Sequence, residues 1–107
     1  MLAGTIGGRN LWRYTALQRA AEYIEAQLGA SGLTPRRHTY EVSRVPVSNI
    51  DATLAGTTYA EEVVVLGAHY DRITGCAGAN DNGSGIAAVL ELARRFAGRP
   101  QARTIRF

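Results

Sequence analysis

The chain has 107 residues and is 46% hydrophobic, a composition typical of one folded domain or part of one and not of a disordered segment. Its formal charge is +3, and its twelve basic residues are all arginines, scattered from Arg9 to Arg106. A nucleic-acid surface needs basic residues clustered on one face, so this spacing argues against one and favours a solvated exterior.

The chain as it stands shows no targeting signal, and the targeting segment of a secreted or periplasmic parent protein would lie outside it. No segment approaches the roughly twenty apolar residues that cross a membrane, and the N-terminus does not read as a signal peptide. The single cysteine, Cys76, cannot form an internal disulfide. The compartment, the oligomeric state and the redox environment are therefore left open.

The first predicted element is a helix over residues 16–28. Its apolar positions share one face, and they are Leu17, Ala20, Ala21, Ile24 and Leu28. Thr15 followed by Gln18 fits a capping box, and Gly29 is expected to end the helix.

Extended segments come next, over residues 37–45 and 49–55, with Pro46 between them. Alternation of Ile50, Ala52 and Leu54 is typical of a half-buried strand, and we expect the two segments to pair as a hairpin. Residues 63–66 form an unbroken aliphatic run, which predicts a central strand covered on both faces.

A second helix is predicted over residues 84–97. Its inner face comprises Ile86, Val89, Leu90, Ala93 and Phe96. Arg94 and Arg95 lie in its last turn, where cations oppose the helix dipole, and Gly98 with Pro100 ends it. A further strand begins at Thr104. Strand, helix and strand form a βαβ unit with parallel strands, which predicts a layered α/β fold.

Three polar residues lie where such folds place their ligands, beyond the carboxyl ends of the strands. His69 and Asp71 follow the aliphatic run, and Asp81 precedes the second helix. The i, i+2 spacing puts the first two side chains on one side of the backbone, so Asp71 can accept from one imidazole nitrogen while the other faces a metal. A metal site is the functional hypothesis.

Each residue also has a structural interpretation. A single histidine at a strand end is more often a hydrogen-bonded structural residue than a ligand, and an aspartate before a helix is an ordinary N-cap. Three nearby glycines would leave room for a metal beside Asp81, and they are Gly78, Gly83 and Gly85. The combination is more specific than any of its members.

Two strings, G-A-H-Y-D and G-A-N-D-N-G-S-G-I-A-A-V-L-E-L-A-R, resemble the co-catalytic zinc exopeptidases, the family of bacterial and vacuolar aminopeptidases to which glutaminyl cyclases are related. The resemblance implies a layered α-β-α fold with a mixed, largely parallel sheet, of which residues 1–107 form the N-terminal portion of one catalytic domain, continuing past the strand that starts at Thr104. It implies two zinc ions, with His69 binding one, Asp81 bridging both and Asp71 orienting His69. A cis peptide at Asp81–Asn82 is also implied.

The implied activity is hydrolysis of a peptide at its N-terminal residue. The family's general base and remaining ligands follow the strand that begins at Thr104, so they are expected outside these residues, and the chain alone is expected to be inactive. Glu61 and Glu62 precede the metal strand and do not match the family's Glu-Glu pair. His38 is interpreted as a surface residue, and Cys76 lacks the partner cysteine of a zinc motif.

Three alternatives remain open. A glutaminyl cyclase would share the fold and the His-Asp placement, and a carboxypeptidase-like zinc enzyme would share the H-x-D pair. A non-catalytic binding domain would keep the fold without the metal, although His69, Asp71 and Asp81 are all retained here.

Overall fold

The computed structural model describes residues 1–6, 8–72 and 79–107. Its two α-helices are α1 (Tyr14–Ala30) and α2 (Ser84–Phe96). Its five strands are β1 (Arg36–Val42), β2 (Val45–Asp51), β3 (Thr53–Leu54), β4 (Tyr59–Val65) and β5 (Arg103–Arg106). Shorter helical turns are Leu2–Ile6, Leu11–Arg13 and Ala79–Gly83. None of the helices in these ranges is long and apolar enough to cross a membrane.

The sheet is mixed, as predicted. β5 lies between β3 and β4, and it runs antiparallel to β3 and parallel to β4. The chain passes from β4 through α2 to β5, which confirms the βαβ unit. β1 and β2 form a separate antiparallel pair, and Ala52 continues β2 into the main sheet through paired backbone hydrogen bonds of 2.9 Å with Phe107.

The hairpin is confirmed, but its turn lies earlier than predicted. Ser43 and Arg44 have positive φ values of 50° and 63° and join the strands as a two-residue turn, whose twist suits paired strands. Pro46 is not the separator. It lies inside β2 opposite Glu41, where β2 pairs with β1 on one side only and a missing backbone donor is tolerated.

The core lies between the two helices and one face of the sheet. All five apolar positions predicted on α1 are buried, and on α2 Ile86 and Ala93 are buried while Val89, Leu90 and Phe96 are partly buried. One core cluster joins the sheet residues Ala52, Ile105 and Phe107 to buried residues of both helices, namely Ala20, Ile24, Leu28, Ile86 and Ala93. Both helices therefore cover the same face.

The expectation that residues 63–66 form a covered central strand is wrong. Among the described residues β4 lies at the edge of the three-stranded sheet, and Val63, Val64 and Val65 are 45%, 42% and 66% exposed. An aliphatic run shows that a strand favours burial, but it does not show whether a cover is present.

The ends of α1 also differ from prediction. Asn10 caps the preceding turn by accepting 3.0 Å hydrogen bonds from the amides of Trp12 and Arg13, so Thr15 lies within the helix and the predicted capping box does not form. At the other end Gly32 has a φ of 90°, and the amide of Leu33 donates to the carbonyl of Leu28 over 3.2 Å. This is a Schellman motif, so Gly32, and not Gly29, ends the helix.

We expect substitutions at these two glycines to have opposite effects. Gly32→Ala forces a side chain into the left-handed region and lowers the free energy of unfolding by about 1 kcal/mol or more. Gly29→Ala lies inside the helix with open space around it and raises that free energy by about 0.4–1 kcal/mol. Urea unfolding midpoints of the two variants measure the difference, and equal effects would contradict this assignment of the helix end.

Candidate metal centre

The three predicted site residues lie at one edge of the sheet. His69 and Asp71 follow β4, and Asp81 lies in the turn Ala79–Gly83 that leads into α2. Because α2 carries the chain from β4 back to the parallel strand β5, the end of β4 and the start of α2 meet at the same edge. The structure brings the three side chains together.

The imidazole of His69 lies between two carboxylates. Its Nδ1 is 3.1 Å from Oδ1 of Asp71, and its Nε2 is 3.1 Å from Oδ1 of Asp81. All three side chains are exposed, with 53%, 67% and 69% of their surfaces accessible for His69, Asp71 and Asp81. The group is therefore open to solvent and to a ligand.

The donor set suits zinc in both chemistry and spacing. Imidazole nitrogen and carboxylate oxygen are zinc ligands at about 2.0–2.2 Å, and two such ligands in a tetrahedron lie about 3.3 Å apart. Nε2 of His69 and Oδ1 of Asp81 are separated by 3.1 Å, a distance that also suits a direct hydrogen bond. Small movements of either side chain would admit an ion.

The donor set is also incomplete. Within residues 1–6, 8–72 and 79–107, no three His, Cys, Asp or Glu side chains converge to hold a metal ion. A catalytic zinc usually has three protein ligands, so His69 and Asp81 supply part of a site. Cys76, considered as a zinc ligand, and Gly78, considered as leaving room for the metal, lie outside the described residues.

The turn that carries Asp81 has an unusual backbone. Asp81 and Asn82 have non-helical φ values of −117° and −132°, and the peptide bond between them is cis, as the resemblance implied. Asn82 performs the capping that the structural interpretation gave to Asp81, because its Oδ1 accepts from the amide of Gly85 over 3.1 Å. The carboxylate of Asp81 is thereby left to face His69.

Gly85 serves this cap directly. A Cβ at this position would lie 2.7 Å from Cγ of Asn82, so a larger residue would displace the capping amide. The expectation that Gly85 leaves room for the metal is corrected: the space beside it is occupied by Asn82.

Tyr70, between the two members of the H-x-D pair, ties this segment to the hairpin. Its hydroxyl donates to the carbonyl of Ser48 over 2.7 Å, and its side chain is half-buried. Burial raises the pKa of the Tyr70 phenol, although the nearby cation of Arg37 opposes the shift. The sequence marked this position only as an aromatic residue between His69 and Asp71.

Arg9 is the residue that sequence reasoning missed. The spacing of the arginines predicted that they lie on a solvated exterior, but Arg9 is fully buried. Its Nε donates to the carbonyl of Tyr70 over 2.6 Å, and its own carbonyl accepts from the amide of Arg72 over 2.8 Å. Burial lowers the pKa of this guanidinium, and Arg72 lowers it further. Nothing in the local sequence distinguishes this arginine, because its burial depends on contacts 61 residues away.

The remaining candidates lie apart from the centre. His38 is exposed on β1, where its Nε2 is 3.0 Å from Oδ1 of Asp51, which agrees with its interpretation as a surface residue. Glu62 pairs with Arg103 on the sheet. Neither contacts His69 in the described part of the chain.

An open groove of about 920 Å³ passes the centre. His69 and Asp71 lie on its wall, and α1 and α2 contribute apolar side chains, among them Leu17, Ile24, Val89 and Leu90. The wall also carries polar side chains, among them Asn49, Asp51 and Arg106, and a mixture of apolar surface with a few polar groups is typical of ligand sites.

Residues 49–107, more than half of the chain, match Peptidase family M28. The chain therefore belongs to this peptidase family, which confirms the family expected from the H-x-D and N-D-N-G-S-G strings.

Three relatives illustrate the match. Leupeptin-inactivating enzyme 1 of Streptomyces exfoliatus is 35% identical over 92 residues, covering 86% of this chain and 21% of that enzyme. A probable zinc metalloprotease of Pyricularia oryzae is 45% identical over 71 residues, covering 59% and 14%. An aminopeptidase of Bacillus subtilis is 46% identical over 46 residues, covering 43% and 10%. The chain spans about a fifth of the length of these relatives, or less.

Solved structures confirm the fold. A glutaminyl cyclase of Macrostomum lignano superposes with a TM-score of 0.74 over 99% of this chain and 35% of that protein, at 20% sequence identity. At this identity the likeness establishes the α/β fold alone.

The Tyr70 hydroxyl provides a pH-dependent test of how the segment is anchored. Tyr70→Phe removes one hydrogen bond and lowers the free energy of unfolding by about 0.5–1.5 kcal/mol near neutral pH. Because the folded-state pKa of Tyr70 is raised, its contribution is fully present below about pH 10 and is lost as pH rises through the folded value. Above about pH 10 the stability of the Phe variant should therefore fall less steeply than that of the wild type.

Urea unfolding of the wild type and Tyr70→Phe near neutral pH and above about pH 10 measures this difference in stability. Tyr59→Phe is the matched control, because Tyr59 is 50% exposed and should change neither value. Parallel pH profiles for the wild type and Tyr70→Phe would contradict the anchoring role.

Proposed function

We propose that this chain forms part of the active site of a zinc-dependent aminopeptidase, with His69 and Asp81 as metal ligands and Asp71 as the residue that orients His69. The observation that carries the proposal is the imidazole held between two carboxylates, each 3.1 Å from a ring nitrogen. Membership of a peptidase family supports the reaction class.

His69 has the geometry of a ligand histidine, and Asp71 has that of the carboxylate behind it. A carboxylate only accepts hydrogen bonds, and Nδ1 faces two oxygens of Asp71, Oδ1 at 3.1 Å and the carbonyl oxygen at 3.3 Å, whereas Nε2 faces Oδ1 of Asp81. This favours the hydrogen on Nδ1 and leaves the lone pair of Nε2 for a metal ion that would separate it from Asp81. Such a carboxylate behind a ligand histidine fixes the tautomer and increases the basicity of the ring. Nε2 and Oδ1 of Asp81 lie 3.1 Å apart, so both could bind the same zinc ion.

Asp81 is suited to a bridging role. Its side chain is 69% exposed and only one of its two oxygens contacts His69. A carboxylate has lone pairs on both oxygens, so the second oxygen can bind a second ion. This supports the expectation of two zinc ions in the complete site.

Bound zinc polarises a carbonyl group and lowers the pKa of a coordinated water. The residues of this chain would hold that metal and leave the groove beside it for a peptide with a free N-terminus. The aminopeptidase and zinc metalloprotease names of relatives support this substrate class and this metal.

The general base and the other ligands are proposed to lie outside residues 1–107. Glu61 and Glu62 lie within β4, before the segment that carries His69, and Glu62 pairs with Arg103. We accordingly propose that these residues are the N-terminal portion of a longer catalytic domain.

A glutaminyl cyclase is the second candidate, favoured by the fold shared with such an enzyme. It would use the same His-Asp placement with one zinc ion, so metal stoichiometry and product separate the two. A non-catalytic binding domain is less well supported, because all three residues are retained and both carboxylates contact the imidazole of His69.

Zinc binding tests the ligand assignment. We expect His69→Gln and Asp81→Asn to abolish zinc binding by the chain, because each removes one of the two assigned ligands. Asp71→Asn should weaken binding by about 10–100-fold, since it removes the orienting acceptor and leaves both ligands. Isothermal titration with zinc measures all three.

His38→Gln is the control for this titration. It removes the chain's other histidine, which contacts Asp51 and lies apart from the centre, so it should leave zinc affinity unchanged. If His38→Gln lost as much affinity as His69→Gln, the assigned site would be incorrect.

We further expect no hydrolysis of an aminoacyl anilide by the 107-residue chain with zinc present. Two ligands hold a catalytic zinc poorly, and the chain places no carboxylate of Glu61 or Glu62 at the centre. Release of the anilide chromophore is the measurement. Robust turnover that a chelator abolishes would show that these residues contain a complete site.

A further inference from the structure

The N-terminal segment contacts both halves of the metal centre. We define this brace as residues 1–6 and 8–13. Its first turn, Leu2–Ile6, packs against Ala79–Gly83, the turn that carries Asp81. Leu2 and Ile6 are 6% and 8% exposed, so this contact is part of the hydrophobic core.

Arg9 connects the brace to the other half. Its Nε donates to the carbonyl of Tyr70 over 2.6 Å, and its Nη1 donates to the carbonyl of Leu2 over 2.7 Å. Its own carbonyl accepts from the amide of Arg72 over 2.8 Å. A single residue thus bonds to the segment that follows His69 and to the turn that packs against Asp81.

The carbonyl of Tyr70 belongs to the peptide that links Tyr70 to Asp71. Fixing its direction fixes where the Asp71 side chain leaves the backbone, and therefore whether Oδ1 can reach Nδ1 of His69. The side-chain contact cannot enforce this by itself, because exposed ion pairs contribute only about 0–1 kcal/mol. The backbone must be held by groups that solvent does not reach.

A buried arginine meets this requirement. Removing a guanidinium from water costs several kcal/mol unless hydrogen bonds replace those with water, so a buried arginine is held by the groups around it. Its planar fork reaches two carbonyls at fixed angles, whereas a lysine ammonium is a flexible point donor. Tyr70 and Leu2 provide those two carbonyls.

We propose that Arg9 is a positioning residue of the metal centre: by holding the Tyr70 carbonyl it orients Asp71 and His69, and through Leu2–Ile6 it couples them to Asp81. Arg9 contacts neither metal nor substrate in this arrangement. The metal consequence rests on the proposed zinc function, whereas the orientation of His69 does not.

Two readouts on the full chain separate these consequences. Without metal, the ¹⁵N chemical shifts of the neutral His69 ring report which ring nitrogen carries the hydrogen. The signals of His38, the other histidine of the chain, are identified by their loss in His38→Gln. We expect Nδ1–H to predominate in the wild type, because Nδ1 faces two oxygens of Asp71 while Nε2 faces Oδ1 of Asp81. Arg9→Gln should shift the population towards Nε2–H, and Arg9→Lys should give an intermediate result. With zinc, we expect the affinity of Arg9→Gln to fall 10-fold or more, and that of Arg9→Lys to fall less.

Phe96→Ala and Arg103→Gln are the controls. The first destabilises the core at the end of α2 remote from Asp81, and the second removes an exposed arginine that pairs with Glu62. Both should keep the Nδ1–H tautomer and wild-type affinity. If Phe96→Ala shifts the tautomer as much as Arg9→Gln, the effect is general destabilisation and the proposal is overturned.

An unchanged tautomer and an affinity within twofold of the wild type in folded Arg9→Gln would also overturn it. If Arg9→Gln does not fold, Arg9→Lys decides by the same two readouts. If the wild type binds no zinc while the tautomer still changes in the Arg9 variants, the zinc function fails and the positioning role stands.

Discussion

Parallel pairing of β4 with β5 is the constraint on which the rest of the structure depends. Two strands of one sheet can run parallel only if the chain crosses back between their ends, and α2 makes that crossing. The crossing places the end of β4 beside the start of α2, which is where His69 and Asp81 meet. The helix must also cover the sheet, so Ile86 and Ala93 pack with Ile105 and Phe107. This packing in the core sets the position of the metal centre at the start of the helix.

The buried core and the exposed edge strand are two consequences of the same arrangement. Both helices pack into one core with Ile105 and Phe107, whereas Val63, Val64 and Val65 of β4 are all exposed. Hydrophobic burial thus stabilises the side of the sheet that supports the metal centre. The exposed valines mark a surface whose composition favours burial that the described residues do not provide.

The metal centre combines exposed functional groups with buried supports. His69, Asp71 and Asp81 are open to solvent, where their mutual attraction is screened and weak. Their backbone, however, is held by hydrogen bonds that are more protected from solvent. The Tyr70 hydroxyl donates to the carbonyl of Ser48, and the Arg9 guanidinium donates to the carbonyl of Tyr70. The side-chain oxygen of Asn82 accepts from the amide of Gly85 in the first turn of α2. Access for a ligand and a fixed geometry are therefore compatible, because different groups provide them.

The sequence by itself determined what depends on local pattern. Helical spacing of apolar residues predicted the buried faces of α1 and α2, the order of elements predicted the βαβ unit, and the H-x-D and N-D-N-G-S-G strings predicted the family and the meeting of His69 with Asp81. Helix ends and the hairpin turn were misplaced, because Asn10, Gly32 and Ser43 compete with equally plausible neighbours and only backbone angles distinguish them.

The tertiary structure decided what depends on distant contacts. It showed that β4 is an exposed edge, that Asn82 caps α2 so that Asp81 is free to face His69, and that Arg9 is buried against Tyr70. The physical reason is the same in each case. Burial and hydrogen-bond partners are properties of pairs of residues far apart in the chain, and a local pattern records the preference of one residue without naming its partner.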